Sequence, residues 1–305
     1  MNARTDRLPP PVARTVLLTC IAMVAFASNS LLCRLALQHA SIDAASFASI
    51  RLVCGAAMLS MLVRLGHGRA QQPKADWLAA TMLFAYVAFF SFAYLSVSAA
   101  TGALILFGAV QLTMFASGLR AGEQFAPLAW LGLALALAGL LYLVSPGLTA
   151  PQPWGAVLMS AAGVAWGVYS LRGRGVADPL AATAANFLRA APMALILSLL
   201  LHGRFHVAPA GIALAMTSGA LTSGIGYVIW YAALKGLSAM RAATVQLSVP
   251  PIAAFGAVAF LSEGISMRLV SASIAILGGI ALALAGRMQV ERVLPASVEE
   301  HKRGH

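Results

Sequence analysis

Charge is scarce in this sequence. Only 10% of its 305 residues are Asp, Glu, Lys or Arg, against about 25% in a soluble domain. With 60% hydrophobic residues, the chain cannot cover a folded surface with groups that water holds. It needs the bilayer as its solvent.

Acid is the scarcer sign, with 9 Asp and Glu against 20 Lys and Arg and a formal net charge of +11. Asp6, Asp43, Asp76, Asp178, Glu123, Glu263, Glu291, Glu299 and Glu300 all fall in tails, loops or segment ends. The 6 His also lie outside the segment centres. An enzyme inside the bilayer would need paired acids, a His/acid metal cluster, or Ser with His at depth. None is visible, so no enzyme, metal or cofactor is expected.

Cysteine is rare too. Cys20, Cys33 and Cys54 have neither CxxC nor paired spacing, which offers no disulfide framework and no zinc site. No basic patch interleaves with aromatics, so nucleic acid is not an expected partner. The positive charge reads instead as loops on the cytoplasmic side of a membrane.

What the sequence has is length in apolar runs. A membrane helix takes about 20 mostly apolar residues. Ten such segments fall near 14–37, 45–65, 76–97, 100–119, 126–145, 154–172, 180–201, 209–234, 240–261 and 268–287. They use roughly 210 residues and leave about 95 for tails and loops, too few for a soluble enzyme module. The basic, Pro-rich N-terminus has no small-residue cleavage site after a short apolar run, so the first segment reads as a retained helix. The short connection SVSAATG predicts that the third and fourth helices are antiparallel neighbours.

With the N-terminus cytoplasmic, Arg34, Arg204 and Arg268 fall near the far side and Arg51 and Arg189 lie within helices. The other 15 of the 20 basic residues fall on the cytoplasmic side, which predicts cytoplasmic termini.

The chain also repeats. Arg34 and Arg51 bracket one turn, and Arg172 and Arg189 bracket another 138 residues later. Glu123 precedes Gly139 by sixteen residues, and Glu263 precedes Gly279 by sixteen, at an offset of 140. Two copies of five helices follow, and five is odd, so the second copy must insert upside down. The expected division is a tail 1–13, a first repeat 14–145, a second inverted repeat 154–287, and a tail 288–305. Secondary transporters are often built this way, with the substrate site between the repeats near the midplane.

Ten helices in two halves, with Gly122-Glu123, Gly132 and Gly139 in one and Glu263 and Gly279 in the other, resemble the EamA-type branch of the drug/metabolite transporter superfamily. Ala165-Trp166-Gly167 adds to that likeness, which spans about residues 15–287. Within the group the chain looks most like bacterial aromatic amino acid exporters. The resemblance implies an all-α integral membrane protein that exports amino acids or related metabolites from the bacterial inner membrane by alternating access. Its implied partners are a small-molecule substrate and the lipid bilayer, with the protein a monomer or weak dimer. The chain departs from the pattern where the first half has Ala27-Ser28 opposite Trp166-Gly167.

Candidate substrate-binding residues are those that make an apolar, aromatic interior with a few polar groups. Tyr86, Phe90 and Tyr94 share one helix face by their i, i+4, i+8 spacing. Tyr227, Trp230 and Tyr231 do the same in the eighth segment. Trp166, Tyr169, Asn29, Gln111 and Gln246 complete the set. Gly224, Gly226 and the pair Pro250-Pro251 are candidate hinges, since proline removes backbone donors. Glu123 and Glu263 read as caps favoured by the dipoles of the helices they precede. Arg51 and Arg189 read as structural charges, because both repeats keep the Arg while one substrate carboxylate needs only one. A counter-charge for such a carboxylate is the other reading. Without a mid-helix carboxylate, a facilitative carrier is favoured, and a proton-coupled exporter or a lipid flippase on the same fold stays open.

Overall fold

The computed structural model describes residues 12–66, 75–147, 150–173, 176–237 and 239–293. The first seven helices are α1 Val12–Gln38, α2 Ala44–Gly66, α3 Trp77–Ala93, α4 Ala99–Arg120, α5 Pro127–Val144, α6 Pro153–Arg172 and α7 Pro179–Leu200. α8 spans Pro209–Leu234. α9 comes in two pieces, Ala239–Gln246 and Val249–Leu261, and α10 is Met267–Val293. All are apolar enough to cross a membrane, α3 being the short one. No strand occurs among the described residues beyond one isolated bridge between Ile42 and Val207. Residues 1–11 and 294–305 of the expected tails, and Arg69, Lys74 and Arg174 in the charge count, lie outside the described residues, and α10 runs on to Val293, past the expected boundary at 287.

Local chemistry sets the helix starts. Asp43, Asp76 and Asp178 each accept a backbone N–H three residues on, from Ser46, Ala79 and Ala181. Ser98 does the same for Thr101. α5, α6 and α7 begin with proline at a first-turn position, where its missing N–H costs nothing.

The halves interlock. α1 packs on α8 and α9, and α6 packs on α3 and α4. α2 packs on α7, and α5 on α10. Exchanging helix n with helix n + 5 maps each pairing onto another, as two inverted repeats require. One expectation fails here. α3 and α4 are not mainly neighbours of each other; both pack chiefly on α6 of the other half. The short connection fixes their direction, but the inter-repeat faces decide their partners.

The α5–α10 seam explains the glycines of the repeat motif. A Cβ at Gly279 would lie 2.5 Å from the backbone N of Ala136, and one at Gly286 would lie 2.5 Å from that of Ala129. Membrane helices lack a hydrophobic drive to associate, so small residues that let backbones touch supply the contact. Large apolar side chains such as Leu17, Trp130, Phe255 and Phe260 remain on the outside, where lipid replaces water.

Two helices are irregular. α8 contains a π-helical stretch, Ser218–Ile225, which packs on α2. α9 breaks just before Pro250 and Pro251, which occupy the first turn of its second piece. There they displace no existing helical bond. The Val245 carbonyl at the break accepts from both the N–H and the hydroxyl of Ser248, at 3.1 and 2.7 Å.

Candidate functional site

The aromatic residues meet where the halves meet. Trp166 of α6 stands between Tyr86 of α3 and Tyr227 of α8, with ring centroids 4.8 and 5.8 Å away. Tyr169 lies 5.4 Å from Trp166. Tyr86 continues to Phe90 at 5.4 Å, and Phe90 to Tyr94 at 4.7 Å. On the other side Phe26 of α1 joins Tyr227 and Trp230, at 5.9 and 5.8 Å. Tyr231 closes the chain of rings and shares a 2.7 Å hydrogen bond with Thr183. All eight aromatic sequence candidates, Tyr86, Phe90, Tyr94, Trp166, Tyr169, Tyr227, Trp230 and Tyr231, therefore belong to one connected network. Trp166 is only partly buried, while its neighbours Tyr86, Tyr169 and Tyr227 are buried.

Phe26 was missing from the sequence set. The signal for it is the repeat itself: Phe26 lies 140 residues before Trp166, the same offset as Glu123 to Glu263. The first half thus has an aromatic after all, one position earlier than Ala27-Ser28.

Arg51 of α2 abuts this network and is 1% exposed. Its Nε donates to Ser223 at 3.3 Å and Nη2 to the Tyr86 hydroxyl at 3.2 Å. The guanidinium also lies 5.3 Å from the centre of the Tyr86 ring and 5.0 Å from that of Phe90. Nη1 has no hydrogen-bond partner. Arg189, its repeat mate, is only partly buried and sits 5.9 Å from the Trp77 ring.

The polar candidates are scattered. The Asn29 side-chain carbonyl accepts from Ser218 at 2.9 Å and Thr222 at 2.6 Å. It ties α1 to the π-helical stretch of α8, as buried amides between membrane helices commonly do. Gln111 and Gln246 are partly buried on α4 and at the end of the first piece of α9, and neither touches the rings in the contacts above. Gly224 and Gly226 serve close approach: a Cβ there would meet Met58 at 2.8 Å and Ala25 at 3.2 Å.

Glu263 does not cap the helix it precedes. Ser266 caps α10, accepting from Leu269 N–H at 3.1 Å. Glu263 reaches the opposite half, where it accepts the N–H of Ala99 at the start of α4 at 2.8 Å and Arg34 Nε at 3.2 Å. Arg34 Nη1 also donates to the Tyr94 carbonyl at 2.8 Å. This cluster joins α1, the α3–α4 connection and the α9–α10 connection. Glu123 is exposed, ahead of α5; the residue capping that helix is Ala126, whose side chain makes no capping bond. At the other end Arg172, the mate of Arg34, donates to Asp76 at 2.7 Å. Burial opposes ionisation of Asp76, but the Arg172 guanidinium and the Ala79 N–H outweigh it and hold its pKa below the usual carboxylate value.

The EamA-like transporter family matches this chain twice, over residues 13–145 and 153–285. An uncharacterized protein of Pseudomonas aeruginosa is 52% identical over 278 residues, covering 91% of this chain and 97% of its own. A solved crystal structure superposes with a TM-score of 0.64 at 19% identity, over 91% of this chain and 99% of that one, a likeness of fold.

Proposed function

The chain belongs to the EamA-like transporter family, and from that premise we propose that it exports small amphipathic solutes, amino acids including aromatic ones among them. Transport proceeds by alternating access across the bacterial inner membrane, with both termini cytoplasmic. The observation that carries this reading is the ring network of Tyr86, Trp166 and Tyr227, drawn from α3, α6 and α8 of both halves. Helices from opposite repeats part when an inverted-repeat carrier changes state, so a solute held among these rings is exposed to one side and then the other.

The Arg34–Glu263 cluster supports a closed end. It links α1 with the α3–α4 and α9–α10 connections of both halves, and with cytoplasmic termini it lies on the outer side of the membrane. The described helices offer no mid-membrane carboxylate, so movement down the solute gradient is the simplest mechanism. The narrower likeness to the aromatic amino acid exporter YddG rests on aromatic content alone.

Proteoliposomes test the reading. Uptake of labelled phenylalanine is expected to saturate, to be inhibited by Trp and Tyr, and to ignore an imposed proton gradient. Tyr86→Ala and Trp166→Ala should each reduce it while the protein still inserts. Uptake driven by the gradient would replace this mechanism with proton coupling. Absence of amino acid uptake, with movement of labelled lipid between leaflets, would replace it with a flippase.

A further inference from the structure

We infer that Arg51 is the binding site for the carboxylate of the transported solute, with Tyr86 and the rings beyond it taking the solute's apolar or aromatic body. This rests on the transport reading above and adds the charge class of the substrate.

A cation inside a bilayer protein is costly, and such residues pair with something or mark a pathway. Arg51 is 1% exposed, and among the described residues no carboxylate lies within ion-pair distance of it. Its bonds go to two neutral hydroxyls, Ser223 and Tyr86. These leave Nη1 buried and without a partner. A guanidinium presents donors in a fork that fits a carboxylate, and here one arm of the fork is unused. An uncompensated buried charge destabilises the fold; an anion supplied by the solute would neutralise it during each passage.

Two further features point to the same place. Ser223, which holds Arg51 Nε, lies in the π-helical stretch Ser218–Ile225, and π-bulges occur often at functional sites. Tyr86 touches the guanidinium on one side and Trp166 on the other. A bound carboxylate on Arg51 therefore puts the solute's body close to Trp166, a partly exposed ring of the network.

The repeat argued against this, because Arg189 occupies the same place in the other half. The surroundings break that symmetry. Arg189 also has a buried Nη1 without a partner, but as a residue it is partly exposed beside Trp77, whereas Arg51 is 1% exposed and abuts the ring network.

The test compares three probes on the purified wild-type protein: 3-phenylpropionate, 3-phenylpropanamide and short-chain phosphatidylglycerol. Binding is read by thermal stabilisation. The carboxylate should bind at least about tenfold tighter than its amide, the difference one charge-assisted bond supports. In Arg51→Gln the two should bind within about twofold, and Arg51→Lys should keep part of the preference because it keeps the charge. Equal binding of acid and amide by the wild type would overturn the inference, and this comparison needs no variant to fold. Stabilisation by phosphatidylglycerol in place of the carboxylate would also overturn it, assigning Arg51 to a lipid headgroup. The two proposals fail separately. Phenylalanine carried equally well by wild type and Arg51→Gln sinks this site and leaves the transport reading standing. A carboxylate preference in a protein that carries no amino acid does the reverse.

Discussion

The two ends of the molecule carry matched arginines, Arg34 and Arg172, and use them differently. Arg34 and Glu263 are 20% and 13% exposed at their side chains and bind across the halves, over the start of α4. Arg172 and Asp76 are 46% and 29% exposed, and Asp76 already caps α3. The first arrangement draws connections from both repeats into one cluster. The second adds an ion pair to a helix cap at a wetter site. Equal sequence in an inverted repeat thus need not mean equal structure. The two ends of this inverted pair differ in burial and in how many elements each cluster joins.

The comparison can be broken at either end, and the Arg34–Glu263 cluster should give the larger effect. Glu263→Gln removes an ionised acceptor from Arg34 and from Ala99 N–H, where hydrogen bonds to charged groups contribute about 1.5–3 kcal/mol each. A cysteine at Ser96, in a background lacking the native cysteines, should then be labelled by a water-soluble thiol reagent about tenfold faster or more. Arg34→Gln should follow with a smaller rise of several-fold, since the Ala99 N–H bond to Glu263 survives. Arg172→Gln should change labelling at Ser96 by less than about twofold. Its melting temperature should shift little, because exposed ion pairs contribute only about 0–1 kcal/mol.

The smallest effect concerns pH. The folded-state pKa of Asp76 is depressed, so its ionic stabilisation is present above the unfolded value and is lost as pH falls through the folded one. Asn also caps helices, so Asp76→Asn isolates the charge. The gap in melting temperature between wild type and Asp76→Asn should therefore be widest near neutral pH and close in acid. A gap that widened in acid would contradict the assignment of Arg172 to Asp76.

The helices were legible because hydropathy and helix stops are local. Ser145-Pro146-Gly147, or Asp43 ahead of α2, ends or starts a helix whatever lies beyond it. The repeat was legible because Arg34/Arg172 and Glu123/Glu263 hold nearly constant spacing. The pairing of helices was less so. The link SVSAATG is short, yet α3 and α4 reach past each other to α6, since the apolar face of α6 is a property of the other repeat. Glu263 shows the same limit: its acceptor role toward Ala99 spans 164 residues, and its own helix offered a nearer N-terminus. Among the site residues, the face of Tyr86, Phe90 and Tyr94 followed from spacing. The distinction between Arg51 and Arg189 did not, because burial and the π-helical stretch of α8 separate them and neither is written in a one-residue match.

The claim that the halves rock apart at the Arg34 end is tested most directly by locking it. In a background lacking the native cysteines, Arg34→Cys with Glu263→Cys would be joined in proteoliposomes by a reducible bis-methanethiosulfonate cross-linker, and uptake of labelled phenylalanine measured before and after reduction. A cross-linker is used because the native contact is made by the tips of two long side chains, and a direct disulfide needs Cα atoms within about 7 Å. The account predicts that uptake stops while the bridge is closed and returns when it is reduced. Undiminished uptake with the bridge fully formed would contradict it.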